Sequence, residues 1–185
     1  MWSNVGQVIR AGLCVMIAVG LLVGLTACGK PVSEPIEPPA RSVPVSTAAA
    51  EQLLGRMETL SSRQGPVTFT ITEEELTSYL AVYGFGDILQ EPAIWLDDGV
   101  IQASARLCVA RGYKLHAIIA LQSHHGVPQI RVRQVVLNGR RLPRLLLLGV
   151  EDAVNDALAD LSSPLALSDV AITEGLMVVT GEMSY

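Results

Sequence analysis

The spacing of apolar positions divides the chain into stretches that each follow a different rule. Residues 11–25 (AGLCVMIAVGLLVGL) are apolar without a break and uncharged, with Arg10 just before them. Residues 29–45 hold Pro31, Pro35, Pro38, Pro39 and Pro44 and show no period. From Ser46 the apolar positions take helical spacing. Ala49, Leu53, Met57 and Leu60 share one side, with Leu54 beside them, until Gly65-Pro66 intervenes. Val67-Thr-Phe-Thr-Ile71 alternates and predicts a half-buried strand. Thr72 and Glu75 form a capping-box pattern, and Glu73 and Glu74 suit the positive end of the next helix. Leu76, Tyr79, Leu80 and Tyr83 give that helix its apolar stripe, up to Gly84-Phe-Gly86. A helix start therefore explains these glutamates better than a metal site does.

From Pro92 the period becomes two. Ala93–Leu96, a turn at Asp97-Asp98-Gly99 and residues 100–110 predict a hairpin. Residues 113–122 predict another strand, with a turn through Ser123-His-His-Gly-Val-Pro128. Residues 129–137 return, placing Ile130 and Val132 on one face and Arg131 and Arg133 on the other. Asn138-Gly139 turns the chain again, so this part reads as an antiparallel meander. Pro143 stands where a first helical residue would. Leu145–Leu148, Val150, Ala153, Val154, Ala157, Leu158 and Leu161 then follow at helical spacing. The first turns of this helix are apolar all round, which predicts enclosure. Glu151, Asp152, Asn155, Asp156 and Asp160 cover its other side. A last hairpin spans residues 165–173 and 176–182 about Glu174-Gly175. Set on the first hairpin with Gly175 over Gly99, it aligns Val170–Gly181 with Ile94–Ala105, a weak echo of one helix-then-hairpin unit used twice. The fold class expected is α+β: a curved antiparallel sheet packed round a long apolar helix, with one or two further helices.

The N-terminal run is too short for a spanning helix, which needs roughly 20 apolar residues, and reads instead as a secretory signal. It ends in Leu25-Thr26-Ala27-Cys28, which resembles the lipobox of bacterial lipoprotein signal peptides. That resemblance implies cleavage before Cys28, acylation of its thiol with chains such as palmitate, and an extracytoplasmic, lipid-anchored protein at the cell membrane. The expected organisation is a signal over 1–27, a lipidated cysteine and proline-rich spacer over 28–45, and one domain over 46–185. At about 3.1 Å per residue such a spacer would hold the domain several nanometres from the bilayer. Of the 3 cysteines only Cys108 would remain in the domain, where it reads as a small buried hydrophobe.

Charge changes the picture in one respect. No acid occurs between Gly99 and Val150, a stretch holding Arg106, Arg111, Lys114, Arg131, Arg133, Arg140, Arg141 and Arg144. Every charged residue from Glu151 onward is acidic. These arginines either pair with acids of the last helix or face anionic lipid head groups, each worth roughly 1 kcal/mol near such a surface. Arg131, Arg133, Arg140, Arg141 and Arg144 are the candidates for that contact. The formal net charge of −5 argues against general nucleic-acid binding.

Catalytic signatures are missing: no G-x-S-x-G, H-E-x-x-H, P-loop or dinucleotide fingerprint occurs. His124 and His125 are adjacent in a predicted turn and lack further ligands at metal-binding spacing, and His116 reads as a core or edge histidine. The expectation is no catalytic residue, no metal and no cofactor. The sequence names no protein partner.

Residues 70–80 (TITEEELTSYL), 126–139 (GVPQIRVRQVVLNG) and 169–181 (DVAITEGLMVVTG), with the order of elements, resemble the tubular lipid-binding (TULIP) superfamily, in particular its small single-module exported bacterial proteins. The resemblance implies a curved sheet around a long helix that can leave an apolar groove for lipid chains. With the helix expected to be enclosed, Leu145, Leu146, Leu148, Val150 and Val154 are the candidates to line it. The function expected is a non-enzymatic binder of lipid or another apolar ligand. The alternative is an envelope protein-protein interaction or structural module with a filled core.

Overall fold

Local chemistry sets the helices. The structure, a computed structural model, describes residues 37–84, 89–108, 112–124, 127–161 and 165–183. Cys28, the N-terminal apolar run and His125 lie outside the described residues. Helix α1 spans Thr47–Ser61, and its N-cap Ser46 accepts a hydrogen bond from the Ala49 amide. Helix α2 spans Glu73–Tyr83 and begins with a complete capping box. Thr72 accepts from the Glu75 amide at 3.2 Å while Glu75 accepts from the Thr72 amide at 3.0 Å. It stops at Gly84, where an added Cβ would lie 2.3 Å from the Leu80 carbonyl oxygen. Helix α3 spans Arg144–Leu161, one residue after Pro143.

The strands form two antiparallel sheets rather than the single curved sheet expected. One is the meander β2 (Leu89–Asp97), β3 (Val100–Leu107), β4 (Tyr113–His124), β5 (Val127–Leu137) and β6 (Arg140–Arg141), in chain order. The other sets β1 (Gly65–Thr72) and β7 (Leu165–Thr173) on either side of β8 (Leu176–Met183). The β4–β5 turn is tighter than expected, because Ser123 pairs with Pro128 and His124 with Val127. The β5–β6 turn needs two residues at positive φ and finds them in Asn138 (50°) and Gly139 (79°).

The sheets meet through their hairpin tips. Gly99 N–H donates to the Ile172 carbonyl at 3.0 Å, and Gly175 N–H donates to the Leu96 carbonyl at 2.9 Å. In the alignment of the two hairpins, Gly99 matches Gly175 and Leu96 matches Ile172. The bonds are therefore reciprocal, and the faint echo in sequence corresponds to a local two-fold relation in space. Leu53, Ile71, Ile94, Leu96, Ile172 and Met177 bury themselves behind this junction and draw α1 and both sheets into one core. A second cluster joins Leu147 of α3 to Ala117, Val132 and Val135 of the meander.

Two further expectations are corrected. The proline-rich stretch does not behave as spacer throughout, since Arg41 within it is bonded to the fold. Trp95 Nε1 donates to the Arg41 carbonyl at 2.8 Å, and the Arg41 guanidinium donates to Glu73 at 2.6 Å. The first turns of α3 are not enclosed: Leu145 is 79% exposed and Leu148 41%.

Candidate functional site

The exposure of those leucines follows from what α3 does for its neighbouring strand. β5 meets β6 only at Val136 and Leu137, so the backbone groups of Ile130 and Val132 face away from β4 with no strand to bond. Side chains of α3 take the strand's place. Asn155 accepts from the Ile130 amide at 2.7 Å and donates to the Ile130 carbonyl at 3.0 Å. Glu151 accepts from the Val132 amide at 2.5 Å, and Arg144 donates to the Val132 carbonyl. Arg144 also grips Glu151 in a fork, with both N–O distances 2.9 Å.

Glu151 and Asn155 of α3 thus turn inward, and Glu151 is buried, while Asp152 and Asp156 stay exposed. An unmade buried hydrogen bond costs about 1–3 kcal/mol per group, and four strand groups are at stake. Leaving a leucine in water forgoes about 1.5–3 kcal/mol. Satisfying the strand edge outweighs hiding two leucines, and the helix turns accordingly.

What remains at the β6–α3 corner is an apolar and basic surface. Leu145 and Leu148 are exposed, Leu146 is half-buried and Leu147 fills the core. Arg140 and Arg141 immediately precede the corner and are exposed, as are Arg131 and Arg133 on β5. None of these four makes an ion pair among the described residues, which include Glu151, Asp152 and Asp156 of α3. Arg144 differs: it is held by Glu151 and by the Val132 carbonyl. Val154 is half-buried further along α3, and the Val150 side chain lies outside the described residues.

The same edge device occurs at the opposite end of the meander. Thr77 of α2 accepts from the Ile94 amide at 2.9 Å and donates to the Ile94 carbonyl at 3.4 Å. Glu73, one helical turn earlier, accepts from the Leu96 amide at 2.6 Å. Arg41 donates to the Leu96 carbonyl at 3.2 Å and to Glu73 at 2.6 Å, and reaches Asp97 at 2.8 Å. Hydrogen bonds to Glu73, then to Asp97, raise the Arg41 pKa above its ordinary value, so it stays charged throughout the physiological range. Glu73 thus has a second task beyond the helix start, one the sequence reading missed. Helix side chains thus cover the free backbone groups of Ile94 and Leu96 on β2 and of Ile130 and Val132 on β5.

His116 is buried within β4 and Cys108 is half-buried just beyond β3. Among the described residues no group of three histidines, cysteines or acids is placed to hold a metal. No helix among them is long and apolar enough to cross a membrane. No protein-family model, curated protein or solved structure matches the chain.

Proposed function

We infer that the protein is a membrane-tethered, extracytoplasmic lipoprotein that binds lipid or another apolar ligand without catalysing a reaction. The supporting observation is the corner where Leu145 and Leu148 stand in water beside Arg140 and Arg141. Exposed leucine next to arginine that makes no ion pair among the described residues suits the boundary between acyl chains and anionic head groups. In this reading Cys28 carries the lipid, and the corner engages lipid that the anchor keeps within reach. The finer arrangement implied by the TULIP resemblance, a sheet curved round α3 with a groove along Leu145, Leu146, Leu148, Val150 and Val154, belongs to the same reading. The leading alternative has a protein partner cover the two leucines. It draws support from Leu147, which packs into a filled cluster.

The test uses the full chain in nanodiscs containing a photoactivatable phospholipid, with cross-links mapped by mass spectrometry. Cross-links are expected on residues 140–148, reduced several-fold by Leu145→Asp with Leu148→Asp. Their absence, with no lipid released on solvent extraction, would leave the protein-partner reading. Cys28→Ser should abolish fatty-acid labelling, and persistent labelling would remove the anchor from the scheme.

A further inference from the structure

A pocket of about 350 Å³ opens on the meander, walled by β3 and β4 and bordered by Val136 and Gly139. Its wall is a rectangle of cross-strand pairs: Ser104 lies opposite His116, and Arg106 lies opposite Lys114. Like charges directly opposite each other in an antiparallel pair are destabilising. The pair is tolerated here with one acid on the pocket wall, Glu91, whose Oε2 lies 2.7 Å from Arg106 Nε. Lys114 makes no ion pair among the described residues.

Glu91 owes its position to a local irregularity. Between Gln90 and Ala93 the register of β2 slips, so Glu91 and Pro92 together face Ala105. Glu91 takes φ 50°, a left-handed conformation that a side-chain-bearing residue adopts at a cost. Bulges and such strained residues gather where a side chain is re-aimed toward a site. Here the bulge brings a carboxylate onto an arginine that already faces a lysine.

We propose that this pocket binds the phosphate group of a phosphate ester, held by Lys114 and Arg106, with Glu91 as the internal anion that the phosphate displaces from Arg106. A phosphate oxygen accepts from the Lys114 ammonium and from the Arg106 guanidinium, and Ser104 stands two residues before Arg106 on β3. Pro38, at the start of the bonded N-terminal segment, also lines the pocket. The ester is therefore held beside the point where the chain leads back toward Cys28. The proposal does not depend on the leucine corner.

The test takes the full chain in uncharged detergent and titrates glycerol 3-phosphate by calorimetry. A parallel titration uses nanodiscs of phosphatidylglycerol against phosphatidylcholine. Lys114→Gln should weaken binding roughly tenfold or more, and Lys114→Arg should retain most of it. Glu91→Gln should tighten binding about two- to fivefold, since it removes the competing carboxylate. A response to the soluble ester assigns a free ligand, whereas a response only to phosphatidylglycerol discs that is lost in Lys114→Gln assigns a lipid head group. No binding of either probe, or equal affinity in Lys114→Gln and the parent, overturns the proposal. Lipid cross-linking at residues 140–148 would be unaffected in that case, so the two sites fail independently.

Discussion

The two ends of the meander solve one problem with the same parts from different sources. At β5, α3 contributes all three residues: Glu151 and Asn155 pair with the strand, and Arg144 comes from the helix's own first turn. At β2, α2 contributes Glu73 and Thr77, but the arginine is Arg41, 32 positions before Glu73. The first clamp is a property of one helix. The second is completed only when the N-terminal segment is in place, so that segment belongs to the fold as much as to any tether.

Burial separates the clamps in energy. The Glu151 side chain is 9% exposed and that of Glu73 13%, while their arginines are 45% and 35% exposed. Glu151→Ala should be the most damaging change, about 3–4 kcal/mol, because it leaves the buried Val132 amide unpaired and takes from Arg144 its carboxylate partner. Glu73→Ala should cost less, about 2–3 kcal/mol, since Asp97 still holds Arg41. Chemical denaturation of both variants decides the matter, and equal losses would show that the shared geometry outweighs the difference in source.

Arg41→Ala addresses the second clamp alone and should cost about 1–3 kcal/mol. It should also expose the Trp95 indole, which bonds the Arg41 carbonyl, and shift its emission to the red. Arg144→Ala should lower stability comparably and leave that emission unchanged. A red shift in both would mean that the clamps are coupled through the sheet. The smallest effects should come from the hairpin tips. Gly99→Ala and Gly175→Ala each place a side chain at positive φ (75° and 76°), costing about 1 kcal/mol. Near-equal losses would support the local two-fold relation, whereas clearly unequal ones would make the tips functionally distinct.

Most elements could be read from apolar period alone, because each bounded stretch carries its own signals. Ser46, the Thr72–Glu75 box, Asp97-Asp98-Gly99 and Asn138-Gly139 all act within a few residues of themselves. The partition into two sheets was not legible, since β1 finds β8 across more than a hundred residues. Nor was the orientation of α3. Its leucines and acids form an ordinary amphipathic pattern, and only the bare edge of β5 turns Glu151 and Asn155 inward. A signal did exist in Glu73-x-x-x-Thr77 and Glu151-x-x-x-Asn155, a carboxylate and a donor-acceptor side chain one turn apart. It does not say which strand they serve. Arg41, set among prolines, carried no local sign of its partners.

The bonded N-terminal segment also decides how load would enter the domain. If Cys28 is held in a bilayer, the 12 residues from Gly29 to Ala40 separate it from Arg41, a reach of at most about 40 Å at polyproline rise. A pull on that leash reaches Arg41 and the Trp95 indole before it reaches α1. Tension would therefore act first on the β2 edge, stripping the Leu96 carbonyl of its arginine while the β5 clamp stayed shut. The domain would then have a weak end and a strong end, and an anchor at Cys28 would pull on the weak one.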